Sequence, residues 1–256
     1  MMNHLLTTVE DVLQQSRATI KRYYRQRIVV ESKADASPVT EADRTVESQI
    51  RQLISQRHPD HGIIGEEHGA INQQADYEWI IDPIDGTKSF ISGMPTFGTL
   101  VGITHHSQPM LGVIDMPILD ERWIGTVGEA TTYNGKTCRV SNVKELAQAT
   151  LYCTEPDMFN AAQLDKFDQL SRLVYLRRFG GDCYSYGLLA SGQIDLVVEG
   201  DLQYYDIMAL VPVVEGAGGV ITDWQGRALK AGWDGLVVAA ATAELHQAAL
   251  AILNAD

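Results

Sequence analysis

Apolar residues recur at helical spacing from the start of the chain: Leu5, Leu6, Val9, Val12, Leu13 and Ile20 fall every three or four positions up to Tyr24. That periodicity predicts an amphipathic helix. The polar stretch "ESKADASPVTEAD" interrupts it and reads as a loop, with Pro38 holding Ser37 away from helical geometry. Thr40 is placed to cap a second helix carrying Val46, Ile50, Leu53 and Ile54, which stops near Pro59. "HGIIGEE" and "YEWIID" are short apolar runs ending in acid, the pattern of buried strands. "FGTLVGI", "PMLGVIDM" and "RWIGTV" follow with turn residues between them and predict an antiparallel meander. The Asn134–Gly135 pair predicts a hairpin.

Near residue 141 the rhythm changes. Strand candidates "ATLYCT", "LVYLRR", "IDLVVE", "GVITD" and "GLVVAA" alternate with helical stretches near 160–171, 182–191, 205–216 and 243–253. Pro212 falls inside the third of these and should kink it. The expected fold class is α/β (α+β), helices layered on sheets. An N-terminal half over residues 1–140 would carry the loop and the acid-ended strands, followed by a C-terminal half over 141–256.

Composition narrows the function classes. At 256 residues and 45% apolar, the chain can build a sizeable core without staples. Cys138, Cys153 and Cys183 are odd in number, far apart and form no CxxC, which argues against a disulfide framework or zinc ribbon and fits a reducing cytoplasm. The first 24 residues read as a helix rather than a signal peptide, and no apolar run approaches the ~18 residues of a membrane span. A net charge of −13 argues against a nucleic-acid backbone or an anionic membrane as partner. By itself that charge reports only solubility. It gains meaning if the acids converge.

"WIIDPIDGTKSF", residues 79–90, is where they do. If Trp79 to Ile81 is a buried strand, Asp82 lies at its carboxyl end, where α/β sheets place ligands. Pro83 cannot donate to a ladder and should end it there. The chain must turn, which can gather Asp82, Asp85 and the Ile84 carbonyl round one point, an oxygen set suited to Mg²⁺. Gly86 and Thr87 open a segment whose free N–H groups suit phosphate. Glu66 and Glu67 at another strand end, Asp206 at the start of an apolar helix and Asp43 after the loop supply further acid. Each alone has a bland explanation, a dipole partner or a solvated turn. Together they suit two or three Mg²⁺ ions clamping a phosphate ester.

"GEEHG", "WIIDPIDGTKSF" and "YDIMALVPVVEGAGGVITDWQG" resemble three signatures of the inositol monophosphatase family of Mg²⁺-dependent, Li⁺-sensitive phosphomonoesterases, and "KADASPVTEAD" resembles its N-terminal loop. The likeness runs from Lys33 to Gly226. It implies an αβαβα layered sandwich and a homodimer. It implies that Glu66, Asp82, the Ile84 carbonyl, Asp85 and Asp206 hold Mg²⁺, with Asp43 contributing through water. Glu66 and Thr87 would orient and deprotonate the attacking water. Asp85, Gly86 and Thr87 would sit at the phosphate, and Lys33 would approach from the loop. "RRFGGDCYSYGLLASG" and "YYDIMALVPVVEGAGG" resemble the histidinol-phosphate phosphatase branch, whose substrate contacts would fall on Arg178, Asp182, Glu199 and Asp206. The extra glycine of "RRFGGD" leaves Arg177 as the alternative to Arg178.

The expected activity is therefore hydrolysis of L-histidinol phosphate to L-histidinol and phosphate. That small ester carries an ammonium and a partly protonated imidazole. Asp182, expected in a helix's first turn, and Glu199, at a strand end, would favour such a cation. In the bland alternative Glu199 accepts from any polyol and Asp182 caps its helix. Inositol monophosphate, a sugar bisphosphate and a 3′-phosphonucleotide are the alternative substrates; Tyr184, Tyr186, Tyr204 and Tyr205 could stack on a ring or simply pack in a core. A haloacid-dehalogenase-like phosphatase would place its acids two apart near the N-terminus, without Pro83 between them. A sensing protein that kept only the fold would have a broken acid set.

Overall fold

The computed structural model describes residues 2–32 and 38–255. Helix α1 (Met2–Tyr23) buries Leu5, Val9, Val12, Leu13 and Ile20, the stripe its spacing predicts. The polar stretch after it is not all loop: β1 (Val30–Ser32) pairs antiparallel with β2 (Pro38–Thr40). Pro38 tolerates this because it begins a strand of a two-stranded ribbon. Lys33 and Ser37 lie outside the described residues. Helix α2 (Glu41–Arg57) starts at Thr40, whose hydroxyl caps Ala42 while Asp43 reaches back to the Thr40 N–H at 2.8 Å.

Next come β3 (Gly62–Gly65), β4 (Gly69–Ile71), β5 (Tyr77–Asp85) and the short helix α3 (Thr87–Ser92). The predicted meander is β6 (Gly98–His105), β7 (Gln108–Met116) and β8 (Glu121–Thr126). The Asn134–Gly135 hairpin joins β9 (Thr132–Tyr133) to β10 (Lys136–Thr137). These strands form one sheet in the order β10-β9-β8-β7-β6-β5-β3-β4. Pro83 does not end the ladder: pairing of β5 with β6 lapses after Asp82 and resumes at Asp85, so the proline sits in a bulge where no N–H is required.

The remaining elements are β11 (Thr150–Cys153), α4 (Ala161–Ser171), β12 (Leu176–Phe179), α5 (Tyr184–Ala190), β13 (Leu196–Glu199), α6 (Tyr204–Ile207), α7 (Leu210–Gly216), β14 (Val220–Thr222), β15 (Val237–Ala240) and α8 (Ala243–Leu253). Their sheet runs β12-β11-β13-β15-β14, parallel among the first three and antiparallel thereafter. The helix predicted over 205–216 is two helices. Pro212 lacks an N–H and crowds the carbonyl of Met208, so the break falls just upstream of it.

Strand alternation sorts the core into layers. Trp79, Ile81, Val101 and Ile103 face α1 and α2, while Ile80, Leu100 and Ile114 face α5–α7. Val197, Val237 and Ala239 close on those same inner helices. Leu196, Val198 and Val238 turn outward to Phe167 of α4 and Leu245 of α8. The order is helices, sheet, helices, sheet, helices: an αβαβα sandwich. Its central cluster draws side chains from both sheets.

Candidate active site

Asp82 sits in the bulge of β5 and is 2% exposed. Its Oδ1 accepts the Ile84 N–H at 3.0 Å, a local turn that leaves the Ile84 carbonyl facing Thr87. Asp85 closes the strand, and its Oδ2 accepts the backbone N–H of Cys183 at 2.6 Å. Asp206 stands in the first turn of α6, where one oxygen caps the Gln203 N–H at 2.6 Å. Asp82, Asp85 and Asp206 each bring an oxygen within 4.8 Å of the others. Glu66, just past β3, adjoins this group closely enough to raise the Asp82 carboxyl by charge and by hydrogen bonding.

Burial raises all three aspartates. Asp82 goes well above the usual carboxylate range, with Glu66, Asp85 and Asp206 adding to the effect. Asp206 rises likewise, next by Asp85. Asp85 is pushed to about 7, by burial first and Asp182 next. Anions crowded in this way are relieved by protons or by a shared cation. Every donor is an oxygen, which selects a hard divalent ion such as Mg²⁺ or Mn²⁺ over thiophilic metals. The residues fit a divalent cation.

Thr87, the first residue of α3, points its hydroxyl at the Ile84 carbonyl (3.2 Å) and at Asp43 Oδ1 (3.5 Å). Its single proton can serve only one of them at a time. Asp43 is buried, and burial raises its carboxyl against the lowering bonds from Thr40. Gly86 has φ +86°, and a Cβ there would lie 2.7 Å from Asp182 Cγ. Asp43, Glu66, Asp82, Ile84, Asp85, Gly86, Thr87 and Asp206 are thus gathered by β3, β5, α2, α3 and α6.

A cavity of about 60 Å³ extends from the cluster between Asp85, Asp182, Tyr186, Glu199 and Asp206. Asp182 is not in a helix's first turn, and although its main-chain carbonyl accepts the Ser185 N–H at 3.1 Å, its side chain does not cap α5. It has φ +46°, two residues ahead of α5, and its Oδ2 accepts the hydroxyls of Ser89 at 2.5 Å and Thr96 at 3.3 Å. Glu199 ends β13 as expected, 2% exposed; it accepts the Thr154 N–H (3.0 Å), the Thr154 hydroxyl (2.5 Å) and the Tyr186 hydroxyl (2.8 Å). Of the four tyrosines singled out, Tyr186 lines this cavity. Tyr184 packs edge-on to Trp123, and Tyr204 and Tyr205 pack on the central core.

Arg177 and Arg178 alternate on β12. Arg177 pairs in register with Leu151 of the outer core and is held by Ser171 and Asp168 of α4. Arg178 pairs with Tyr152, which packs toward the inner core, and its side chain is exposed. Arg178 therefore stands on the face of the sheet toward the cavity, though neither arginine lines it. A wider hollow of about 580 Å³ runs along α2 past Val29, Glu31 and Arg44, away from the acid cluster.

The Cys183 amide, Ser89, Thr96 and Thr154 all support the site and went unnoticed in the sequence, while Tyr186, singled out there as a ring, serves through its hydroxyl on Glu199. A backbone amide leaves no residue signature, and the hydroxyls act from segments far apart in the chain.

A sequence profile described as "Inositol monophosphatase family" matches residues 1–255. The "Bifunctional phosphatase IMPL2, chloroplastic" of Arabidopsis thaliana is 44% identical, over 93% of this chain and 72% of its own length. A "Histidinol-phosphatase" of Chlorobaculum parvum is 38% identical, over 87% of this chain and 86% of its own. Among solved structures, an inositol monophosphatase from Zymomonas mobilis superposes with a TM-score of 0.89 at 38% identity, covering 97% of each chain. Fold, acid cluster and these likenesses agree, and the chain belongs to the inositol monophosphatase family, whose members are phosphatases that use metal ions.

Proposed function

We propose that this protein is a Mg²⁺-dependent phosphomonoesterase whose preferred substrate is L-histidinol phosphate. One observation carries the reading: among the described residues, the cavity is lined by Asp85, Asp182, Glu199 and Asp206 and by no Lys, Arg or His. A phosphate dianion would be repelled from such a place unless cations came with it, and the alcohol portion that suits it is itself cationic. The name borne by the Chlorobaculum relative supports the same substrate.

Asp82, Asp85, Asp206, Glu66 and the Ile84 carbonyl would hold two or three Mg²⁺ ions, and Li⁺ would inhibit by competing for the same oxygens. Bound there, Mg²⁺ supplies charge neutralisation on the phosphate, acidifies water and stabilises the departing alkoxide. The protein's own groups do the rest. Backbone N–H groups at Gly86 and Thr87 orient the phosphate. Thr87 can pass its proton to Asp43, whose burial favours the neutral acid, and so accept one from the attacking water. Glu66 orients that water from the opposite side. Asp182 and Glu199 hold the substrate's cation. Glu199 keeps acceptor capacity, since three of a carboxylate's roughly four lone-pair directions are taken. Arg178 reaches the outer end of the substrate. A cytoplasmic homodimer completes the reading, and light scattering tests the oligomer.

The deciding experiment compares kcat/KM for L-histidinol phosphate and for myo-inositol 1-phosphate, with Mg²⁺ and after its removal by chelation. The expected result is a clear preference for the cationic ester and no turnover without the ion. A second reading, hydrolysis of an inositol phosphate, is favoured by the Zymomonas likeness. Equal or inverted preference would establish it instead.

A further inference from the structure

Glu47 is a fully buried acid on the apolar face of α2, one turn after Asp43. A carboxylate in such a place is costly unless every oxygen is engaged. Its Oε2 accepts the Glu67 N–H at 2.7 Å. Its Oε1 accepts the His68 N–H at 3.1 Å and the Arg51 Nε–H at 2.6 Å. Arg51 also donates to the Gly69 carbonyl, and Ser48 Oγ bonds His68 Nε2 at 3.0 Å. The Glu66 N–H is taken by the Ile81 carbonyl at 3.3 Å.

Three successive amides, at Glu66, Glu67 and His68, are therefore all fixed from outside the turn. The strand that carries Asp82 fixes the first, and Glu47 fixes the other two. The approach is so close that a Cβ on Gly65 would stand 2.1 Å from Glu47 Oε1. The glycine opening "GEEHG" is thus required by the acid on α2. The backbone of Glu66 is thus clamped between β5 and Glu47, while its side chain adjoins Asp82.

We infer that Glu47 is a positioning residue that aims Glu66 at the carboxylate cluster and so sets the protein's affinity for its divalent cation. The inference rests on the metal-dependent reading above. Groups that orient a ligand from behind are typically worth about 10–100-fold in metal affinity. The competing description is a staple that merely holds β3 to β4, and it predicts lost stability with unchanged affinity.

Calorimetric titration of Mg²⁺ into substrate-free wild type, E47Q, E66Q and the double variant separates the two. Binding to E47Q should weaken about tenfold. The double variant should bind no more weakly than E66Q, because Glu47 acts through Glu66. Wild-type affinity in folded E47Q, or independent additive losses, would overturn the inference while leaving the phosphatase reading intact. Wild type that binds no Mg²⁺ would overturn both. If E47Q does not fold, amide exchange on the wild type decides: Mg²⁺ should slow exchange at Glu67 and His68, by reciprocity of the coupling. Unchanged exchange there overturns it.

Discussion

The Cys183 N–H and Asp85 Oδ2 lie 2.6 Å apart, so the end of β5 in the eight-stranded sheet is tied to the turn before α5, which packs between the sheets. One oxygen of Asp85 is anchored by backbone, and the other is left to the cluster. Burial, then Asp182, hold this carboxyl at about 7, against 3.8 for an ordinary aspartate. The two sheets thus meet on an acid that is uncomfortable without a cation.

Asp85→Asn should lower turnover more than about 100-fold without lowering the melting temperature of the metal-free protein. The lost charge is one the fold holds at a cost. The sign follows from linkage: with its folded pKa raised, Asp85 contributes stability below about pH 4 and loses it as pH climbs through about 7. Stabilisation by Mg²⁺ should therefore grow across that interval in the wild type and flatten in the variant. Melting curves with and without Mg²⁺ at several pH values, beside rate measurements, check this. Retained activity in Asp85→Asn would remove it from the ligand set.

Asp182→Asn is the sharper probe of the substrate's cation, because alanine would also remove the acceptor for Ser89 and Thr96. The asparagine oxygen can still accept from both hydroxyls. Its kcat/KM on L-histidinol phosphate should fall about tenfold more than on an uncharged phosphate ester, the scale of one lost charge contact. Equal losses on both esters would mean that Asp182 braces α3 and does not read the ligand.

The acid set was legible because its members stand at strand and helix ends, where apolar runs break: Glu66 after β3, Asp82 and Asp85 in β5, Asp206 in α6. Thr40 was legible as a cap for the same reason. Glu47 was harder to see. It falls in step with Asp43, Val46 and Ile50 on a buried stripe, where an acid reads as an interruption rather than a clamp. The bulge at Pro83 escaped because proline's missing donor argues for a strand end as well as for an unpaired position within one. Asp182 was misplaced because it takes a left-handed backbone ahead of α5, and its carboxylate lies against Gly86 and Ser89, contacts far away in the chain.

Far from the cluster, His58 should set part of the protein's acid sensitivity. It stacks on His61 and meets His4 edge-on, at centroid distances of 4.6 and 4.8 Å. The Thr8 hydroxyl lies 3.1 Å from the His4 carbonyl and 2.9 Å from His58 Nε2, and its single proton serves one of them at a time. Burial, then His61, His4 and Arg57, lower the imidazole to about 4. The folded ring therefore refuses a proton that the unfolded chain accepts below about 6.5, and stability falls as pH drops through that window. His58→Gln should melt lower than wild type near neutral pH yet lose less on going to about pH 5. An undiminished acid loss in the variant would place the sensitivity elsewhere.

Gly86→Ala tests how tightly the turn proposed to hold the phosphate is built. The substitution carries two separate penalties: a non-glycine residue at φ +86°, and a methyl 2.7 Å from Asp182 Cγ. Left-handed backbone of this kind costs on the order of 1 kcal/mol for alanine, and the clash adds to it unless Asp182 moves. If Asp182 moves, it leaves Ser89 and Thr96, and α3 loses its brace. Gly86→Ala should therefore lower both the melting temperature and kcat. Adding Asp182→Ala should recover part of the stability, because it removes the nearest atom and leaves only the Cβ at 3.0 Å, but not the activity. Full recovery of stability would show that backbone strain contributes little. No recovery, measured against Asp182→Ala alone, would show that the turn is limited by φ and not by its contact with Asp182.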